Sequence, residues 1–191
     1  MTVINIRGCS GSGKSTLVKR FLNEHPFEEI KFQLGTWKNP RTVAYKCKFP
    51  GKPVYVIGRY ETSCGGCDAL SYKGSHDDIE EMVRAAAAKG HVIFEGLTIS
   101  STLTRWKRID AEFPGYVWAF MDTPVEVCHK RILSRSGREP KKDERGVADY
   151  EKKFRGCQLH IKNLTTEGAT VLILSSDDAG YQLMLDALKE T

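Results

Sequence analysis

The chain has 191 residues, with 29 Lys and Arg against 24 Asp and Glu and a formal net charge of +5. That length suits one α/β domain with a sizeable core and is short for two. No apolar run approaches the ~20 residues that span a bilayer, and no apolar signal region precedes the first strand. A cytoplasmic setting is therefore expected, in which the six cysteines stay reduced rather than forming a disulfide framework.

The first element in chain order is a β-branched run, Val3-Ile4-Asn5-Ile6, expected as a buried strand over Val3–Arg7. It leads directly into Gly8-Cys9-Ser10-Gly11-Ser12-Gly13-Lys14-Ser15, which reads G-x-x-x-x-G-K-S, and a helix is expected over Lys14–Asn23. Strand, glycine-rich turn and helix form the context that a phosphate-binding loop requires. The glycines let backbone N–H groups approach phosphate oxygens, and the helix start adds donors and partial positive charge. Gly8, Cys9, Ser10, Gly11, Ser12, Gly13, Lys14, Ser15 and Thr16 are thus expected to bind ATP. Lys14 suits the β/γ-phosphates and the Ser15 hydroxyl suits Mg²⁺.

A β-hairpin is expected next, Thr42–Phe49 and Val54–Tyr60 joined by Pro50-Gly51-Lys52-Pro53. An irregular stretch holding Cys64-Gly65-Gly66-Cys67-Asp68 follows it, so that residues from about 42 to 75 read as an insert. Cys64-x-x-Cys67, even with Cys47, falls short of the four ligands of a structural zinc site. Helix Asp77–Lys89 precedes the apolar strand Val92–Glu95, which ends in a carboxylate placed to hold Mg²⁺, usually through water, or to position an attacking hydroxyl.

Further helices are expected over Ser100–Glu112, Val125–Ser134, Val147–Thr165 and Gly180–Lys189, and strands over Tyr116–Met121 and Thr170–Leu174. Arg131 and Arg135 stand four apart, on one face of their helix. With Arg138 just beyond, they offer planar, permanently charged groups to a transferring phosphoryl group. Between Lys130 and Lys162 eleven Lys and Arg face five Asp and Glu, a local net of +6, so the rest of the chain sums to −1. Such a segment holds ATP phosphates, a nucleic acid, or both. Alternating strands and helices imply an α/β fold, with five parallel strands flanked by helices, in one domain of residues 1–191 with a basic lid at about 136–146.

In their order, Gly8–Thr16, Glu95, Asp122–Glu126, Arg131/Arg135 and Gly137–Gly146 resemble the thymidylate-kinase-like group of nucleoside and nucleotide kinases across most of the chain. That resemblance places Ser175-Ser176-Asp177 near the adenine. Where thymidylate kinases usually show Asp-Arg-Tyr or a relative, this chain has Glu95-Gly96-Leu97, which points away from thymidylate itself. Gly58-Arg59-Tyr60, Cys64-Gly65-Gly66-Cys67-Asp68 and Gly90–Leu97 are similar to a set of bacteriophage P-loop kinases that includes the 5-hydroxymethyluracil DNA kinases.

The resemblance implies an ATP- and Mg²⁺-dependent kinase acting on the hydroxymethyl group of a pyrimidine in DNA. It makes Asp68 or Glu95 the general base, and Gly65 and Gly66 a surface for close approach of the acceptor. Arg59, Lys46, Lys48 and Lys52 become phosphate contacts, and Tyr60 or Tyr72 either stacks on a base or packs in the core. Two alternatives stand beside it: a kinase for a free nucleoside or nucleoside monophosphate, and a non-kinase NTPase, which the R-x-x-x-R helix and the lid disfavour. No membrane partner is expected, and the sequence carries no signal of oligomeric state.

Overall fold

The computed structural model describes residues 1–33, 38–61, 65–70, 75–136 and 144–189. Seven strands form one sheet: β1 (Val3–Arg7), β2 (Phe27–Phe32), β3 (Arg41–Cys47), β4 (Val54–Ile57), β5 (His91–Glu95), β6 (Tyr116–Met121) and β7 (Val171–Leu174). Their order is β2-β3-β4-β5-β1-β6-β7. The pairs β4/β5, β5/β1, β1/β6 and β6/β7 are parallel, whereas β2/β3 and β3/β4 are antiparallel.

Five strands, β4, β5, β1, β6 and β7, are thus mutually parallel, and β3 and β2 extend the sheet antiparallel to seven strands. The hairpin is present as β3 and β4, but β4 belongs at the same time to the parallel part of the sheet, so the hairpin is an extension of it rather than a separate insert. The unexpected strand is β2. All six of its residues are exposed, so neither face is buried and no period-2 apolar pattern marks it.

The helices are α1 (Lys14–Glu24), α2 (Ser75–Ala87), α3 (Leu97–Ser101), α4 (Leu103–Glu112), α5 (Val125–Ser136), α6 (Glu144–Thr166) and α7 (Asp178–Lys189). Alternation along the parallel strands splits the core into two layers. On one face Val3, Phe94, Trp118 and Phe120 pack with Ile79, Val83, Trp106 and Leu164 from α2, α4 and α6. On the other, Ile4, Ile6, Ile93 and Ala119 pack with Leu17, Phe21, Tyr181 and Met184 from α1 and α7. No helix among the described residues is long and apolar enough to cross a membrane.

The single helix expected over Ser100–Glu112 is two helices. Thr102 between them is extended, with φ −112° and ψ 99°, and its hydroxyl accepts the Trp106 indole N–H at 3.1 Å. Helix α3 starts at Leu97 because a carboxylate from elsewhere in the chain caps it, as described below. Local sequence holds no trace of such a cap.

Parallel strands put the ends of β1, β4, β5 and β6 on one side of the sheet, and the turn between β3 and β4 on the other. His91 donates its N–H to the Pro53 carbonyl at 2.9 Å, so that turn lies beside the start of β5. Lys46, Lys48 and Lys52 are therefore at the far end of the sheet from Glu95. Expected as phosphate contacts, they are set by the topology away from the phosphate-binding loop.

Candidate active site

Residues 8–13 join β1 to α1 as a tight loop. Gly11 has φ +81° and lies so close to α5 that an added Cβ would stand 2.4 Å from the Cys128 carbonyl oxygen; only glycine fits there. Thr123 fixes the loop from β6's end by donating its hydroxyl to the Ser12 carbonyl at 2.7 Å. Gly13 occupies the N-cap position of α1 in the left-handed conformation and offers no side-chain cap, so the first-turn N–H groups are left to an incoming anion. Lys14 is buried, and its ammonium donates to the Gly8 and Cys9 carbonyls at 2.8 and 3.0 Å.

The loop forms one wall of a cavity of about 1100 Å³ that also receives Lys19, Gly65, Asp68, Glu95, Leu97, Lys130, Arg131, Arg135 and Ser176. Arg131 reaches back to the loop, donating to the Gly11 carbonyl at 3.2 Å and to the Ser176 hydroxyl at 3.4 Å. Arg135 follows one turn later on the same wall. Arg138 and nearly all of the expected lid lie outside the described residues, as do Cys64 and Tyr72.

Glu95 ends β5 at the base of the cavity. It is 1% exposed and accepts the Ser15 hydroxyl on Oε1 at 2.8 Å. Burial raises its carboxyl to about 7, against the opposing pull of the Lys14 ammonium and the Ser15 hydrogen bond. The Ser15 and Glu95 oxygens, side by side next to an open helix start, are the donor type that a hard divalent cation takes together with phosphate oxygens and water. Among the described residues no group of three or more His, Cys, Asp or Glu is placed to hold a metal by itself.

Asp68 opens a short 3-10 turn, Cys67–Leu70. Its Oδ2 accepts the Leu97 N–H at 2.5 Å, and its Oδ1 accepts the Thr98 N–H at 3.1 Å and the Thr98 hydroxyl at 2.6 Å. The carboxylate is thus the N-terminal cap of α3.

Of the other acceptor-side residues, Gly65 is on the cavity, and Tyr60, Arg59 and Gly66 are engaged elsewhere. Tyr60 is a core residue, 7% exposed and tilted against the Tyr45 ring at 6.0 Å, and its buried hydroxyl lies next to Glu95; it offers no face for stacking. Arg59 pairs with Glu61 at 2.5 Å, and its backbone bridges to Gly66 in both directions. Gly66 has φ +87°, and a Cβ there would stand 2.2 Å from Glu95 Oε1, so its missing side chain makes room for this carboxylate rather than for an acceptor. Gly65 does line the cavity.

Residues 2–179 match the family model described as 5-hmdU DNA kinase. The chain belongs to the 5-hmdU DNA kinase family. It is 35% identical over 184 residues to the 5-hmdU DNA kinase of Pseudomonas phage PaMx11, covering 95% of this chain and 94% of the relative. The relative from Pseudomonas phage M6 is 33% identical over 154 residues, 78% of this chain and 79% of its own. The 5-hmdU DNA kinase 1 of Salmonella phage ViI is 29% identical over 164 residues, 81% and 69% of the two chains.

The structure adds to the candidate site two residues that the motifs did not single out. Ser100 is buried in α3; its hydroxyl accepts the Gly8 N–H at 3.1 Å and donates to the Gly96 carbonyl at 2.8 Å. Arg7, fully buried against the Trp118 and Phe120 rings, donates to the Ser100 carbonyl at 2.7 Å. Burial lowers its guanidinium to about 10. The signal for Arg7 was a charged residue at the end of an otherwise apolar strand.

Proposed function

We propose that this chain is an ATP-dependent P-loop kinase that phosphorylates the hydroxymethyl oxygen of 5-hydroxymethyluracil in bacteriophage DNA. One observation carries the reading: a Ser15–Glu95 pair beside an uncapped helix start, on the same cavity as Lys14, Arg131 and Arg135, in a member of the 5-hmdU DNA kinase family.

In this reading the loop N–H groups and Lys14 hold the β- and γ-phosphates, and Ser15 and Glu95 hold Mg²⁺, the latter through water. The metal supplies neutralising charge on the phosphate oxygens. Arg131 and Arg135, on α5 beside the loop, balance charge on the phosphoryl group as it moves. The hydroxymethyl oxygen enters past Gly65 and Leu97 and attacks the γ-phosphorus in line. The bond to the β,γ-bridging oxygen breaks, ADP leaves, and the hydroxyl proton passes to the Glu95 carboxylate on the same cavity. A base in a duplex has to leave the stack to reach the cavity, at a cost of a few kcal/mol.

The test is transfer of radiolabelled γ-phosphate from ATP, with hydroxymethyluracil-containing DNA, unmodified DNA, and the free nucleoside and its monophosphate offered in parallel. Label in the modified polymer alone is the expected outcome. Preference for the free nucleoside or monophosphate would replace the DNA reading with a nucleotide-kinase one, and label in none would remove the kinase reading.

A further inference from the structure

We propose that Asp68 is a positioning residue, a helix cap that links its own segment to the phosphate-binding loop, and that it takes no proton in the reaction. The inference rests on the kinase reading above and assigns roles within the same site.

Both Asp68 oxygens are turned to α3, where two backbone N–H groups and the Thr98 hydroxyl occupy them at 2.5–3.1 Å. The first N–H groups of a helix have no intrahelical acceptor, and a negative charge there is favoured. Helix α3 has five residues, too few to hold its shape unaided, so its placement depends on what grips it. Asp68 grips its start. Near its end, Ser100 accepts the N–H of Gly8, the first residue of the phosphate-binding loop, and Arg7 donates to the Ser100 carbonyl.

A continuous path of hydrogen bonds therefore runs from the Asp68 carboxylate through α3 to Gly8. The same segment is pinned a second time two residues earlier, where Gly66 lies against Glu95. Moving Asp68 would release both α3 and the first residue of the loop that holds the nucleotide. A proton acceptor, by contrast, would have to present a free oxygen to the substrate, and no loop geometry would depend on it.

Asparagine separates the two roles. Its single carboxamide oxygen keeps one side of the cap, at Leu97 or at Thr98, its NH2 cannot replace the other acceptor, and it takes no proton. Steady-state transfer is measured for wild type, Asp68→Asn and Asp68→Ala with ATP and DNA varied in turn, alongside hydrogen exchange at the Leu97 and Thr98 amides. The expected result is kcat of Asp68→Asn within about tenfold of wild type, with KM for ATP between those of wild type and Asp68→Ala, because part of the cap remains. Asp68→Ala is expected to raise KM for ATP several-fold and to speed exchange at both amides.

Loss of kcat in Asp68→Asn as deep as in Asp68→Ala, with KM for ATP and amide exchange unchanged in both, would overturn the proposal. If Asp68→Ala does not fold, Thr98→Val replaces it. This variant removes one donor to the cap and is expected to raise KM for ATP; an unchanged KM would count against the cap. Amide exchange is read without substrate, so it tests the cap even if wild type transferred no phosphate.

Discussion

Two side chains at the base of the cavity are poised against their own preferences. The Lys14 ammonium, buried, satisfies itself on the loop's first two carbonyls, partners that the proposed function has it exchange for phosphate oxygens. Lys14→Ala removes a positioned charge, a change that costs on the order of 10²–10³ in rate at comparable stabilising groups. Phosphoryl transfer should fall by that factor while the circular dichroism spectrum stays unchanged. Glu95 carries the second strain, since burial holds its carboxyl near 7 and an unfolded glutamate titrates near 4.3. Between those values the folded protein holds a proton that the unfolded chain has released, so stability falls as pH rises through this window. The contribution amounts to a few kcal/mol across it, at about 1.4 kcal/mol per pH unit. Glu95→Gln, which mimics the protonated form, should gain stability over wild type at pH 8 and lose most of that advantage by pH 5. Thermal melts without nucleotide or metal measure it, and the same variant should lose transfer. Equal melting differences at both pH values would contradict the assignment.

At the scale of elements, the site is assembled where β1, β4 and β5 end and α1 and α3 begin. Gly66 is the tightest point, with no space for a Cβ beside Glu95 and a left-handed backbone besides. Gly66→Ala should therefore lower thermal stability and displace Glu95, reducing transfer more than it weakens ATP binding; calorimetric titration with ATP alongside the kinetics separates the two effects. Much of this frame was legible in sequence. Val3–Arg7, the loop at 8–15 and the strand ending at Glu95 are each announced by residues adjacent in the chain, because buried parallel strands are continuous apolar runs and a phosphate loop needs glycine at fixed spacing. What was not legible depends on partners far apart. The Asp68 cap spans 29 and 30 residues to Leu97 and Thr98, and the Ser100–Gly8 bond spans 92. Gly66 and Tyr60 looked like acceptor contacts because their types suit that role, yet one makes room for Glu95 and the other fills the core. Strand β2 escaped notice because it buries neither face.

Over the whole molecule the positive charge is gathered rather than spread, and the topology decides which part of it serves the cavity. The hairpin lysines at 46, 48 and 52 are at the opposite end of the sheet, whereas Lys19, Lys130, Arg131 and Arg135 line the cavity with Lys14, three of them within the stretch from Lys130 to Lys162 that carries a local net of +6. A DNA acceptor brings several phosphates to that wall and releases their counterions. With about four phosphates neutralised on a single strand, raising salt from 50 to 200 mM should weaken DNA binding on the order of 50-fold. A free nucleoside has no phosphate to neutralise, and its KM should hardly change over the same range. Lys130 lines the cavity without any role assigned in the chemistry, so Lys130→Ala should weaken binding of all DNA sequences alike and reduce the logarithmic salt slope by about 0.7, one contact's share. Lys48→Ala, at the far end, should leave the slope as it is. Fluorescence anisotropy of labelled single-stranded DNA across a salt series measures both. A slope altered by Lys48→Ala and not by Lys130→Ala would move the DNA path to the hairpin end of the sheet, away from the phosphate-binding loop.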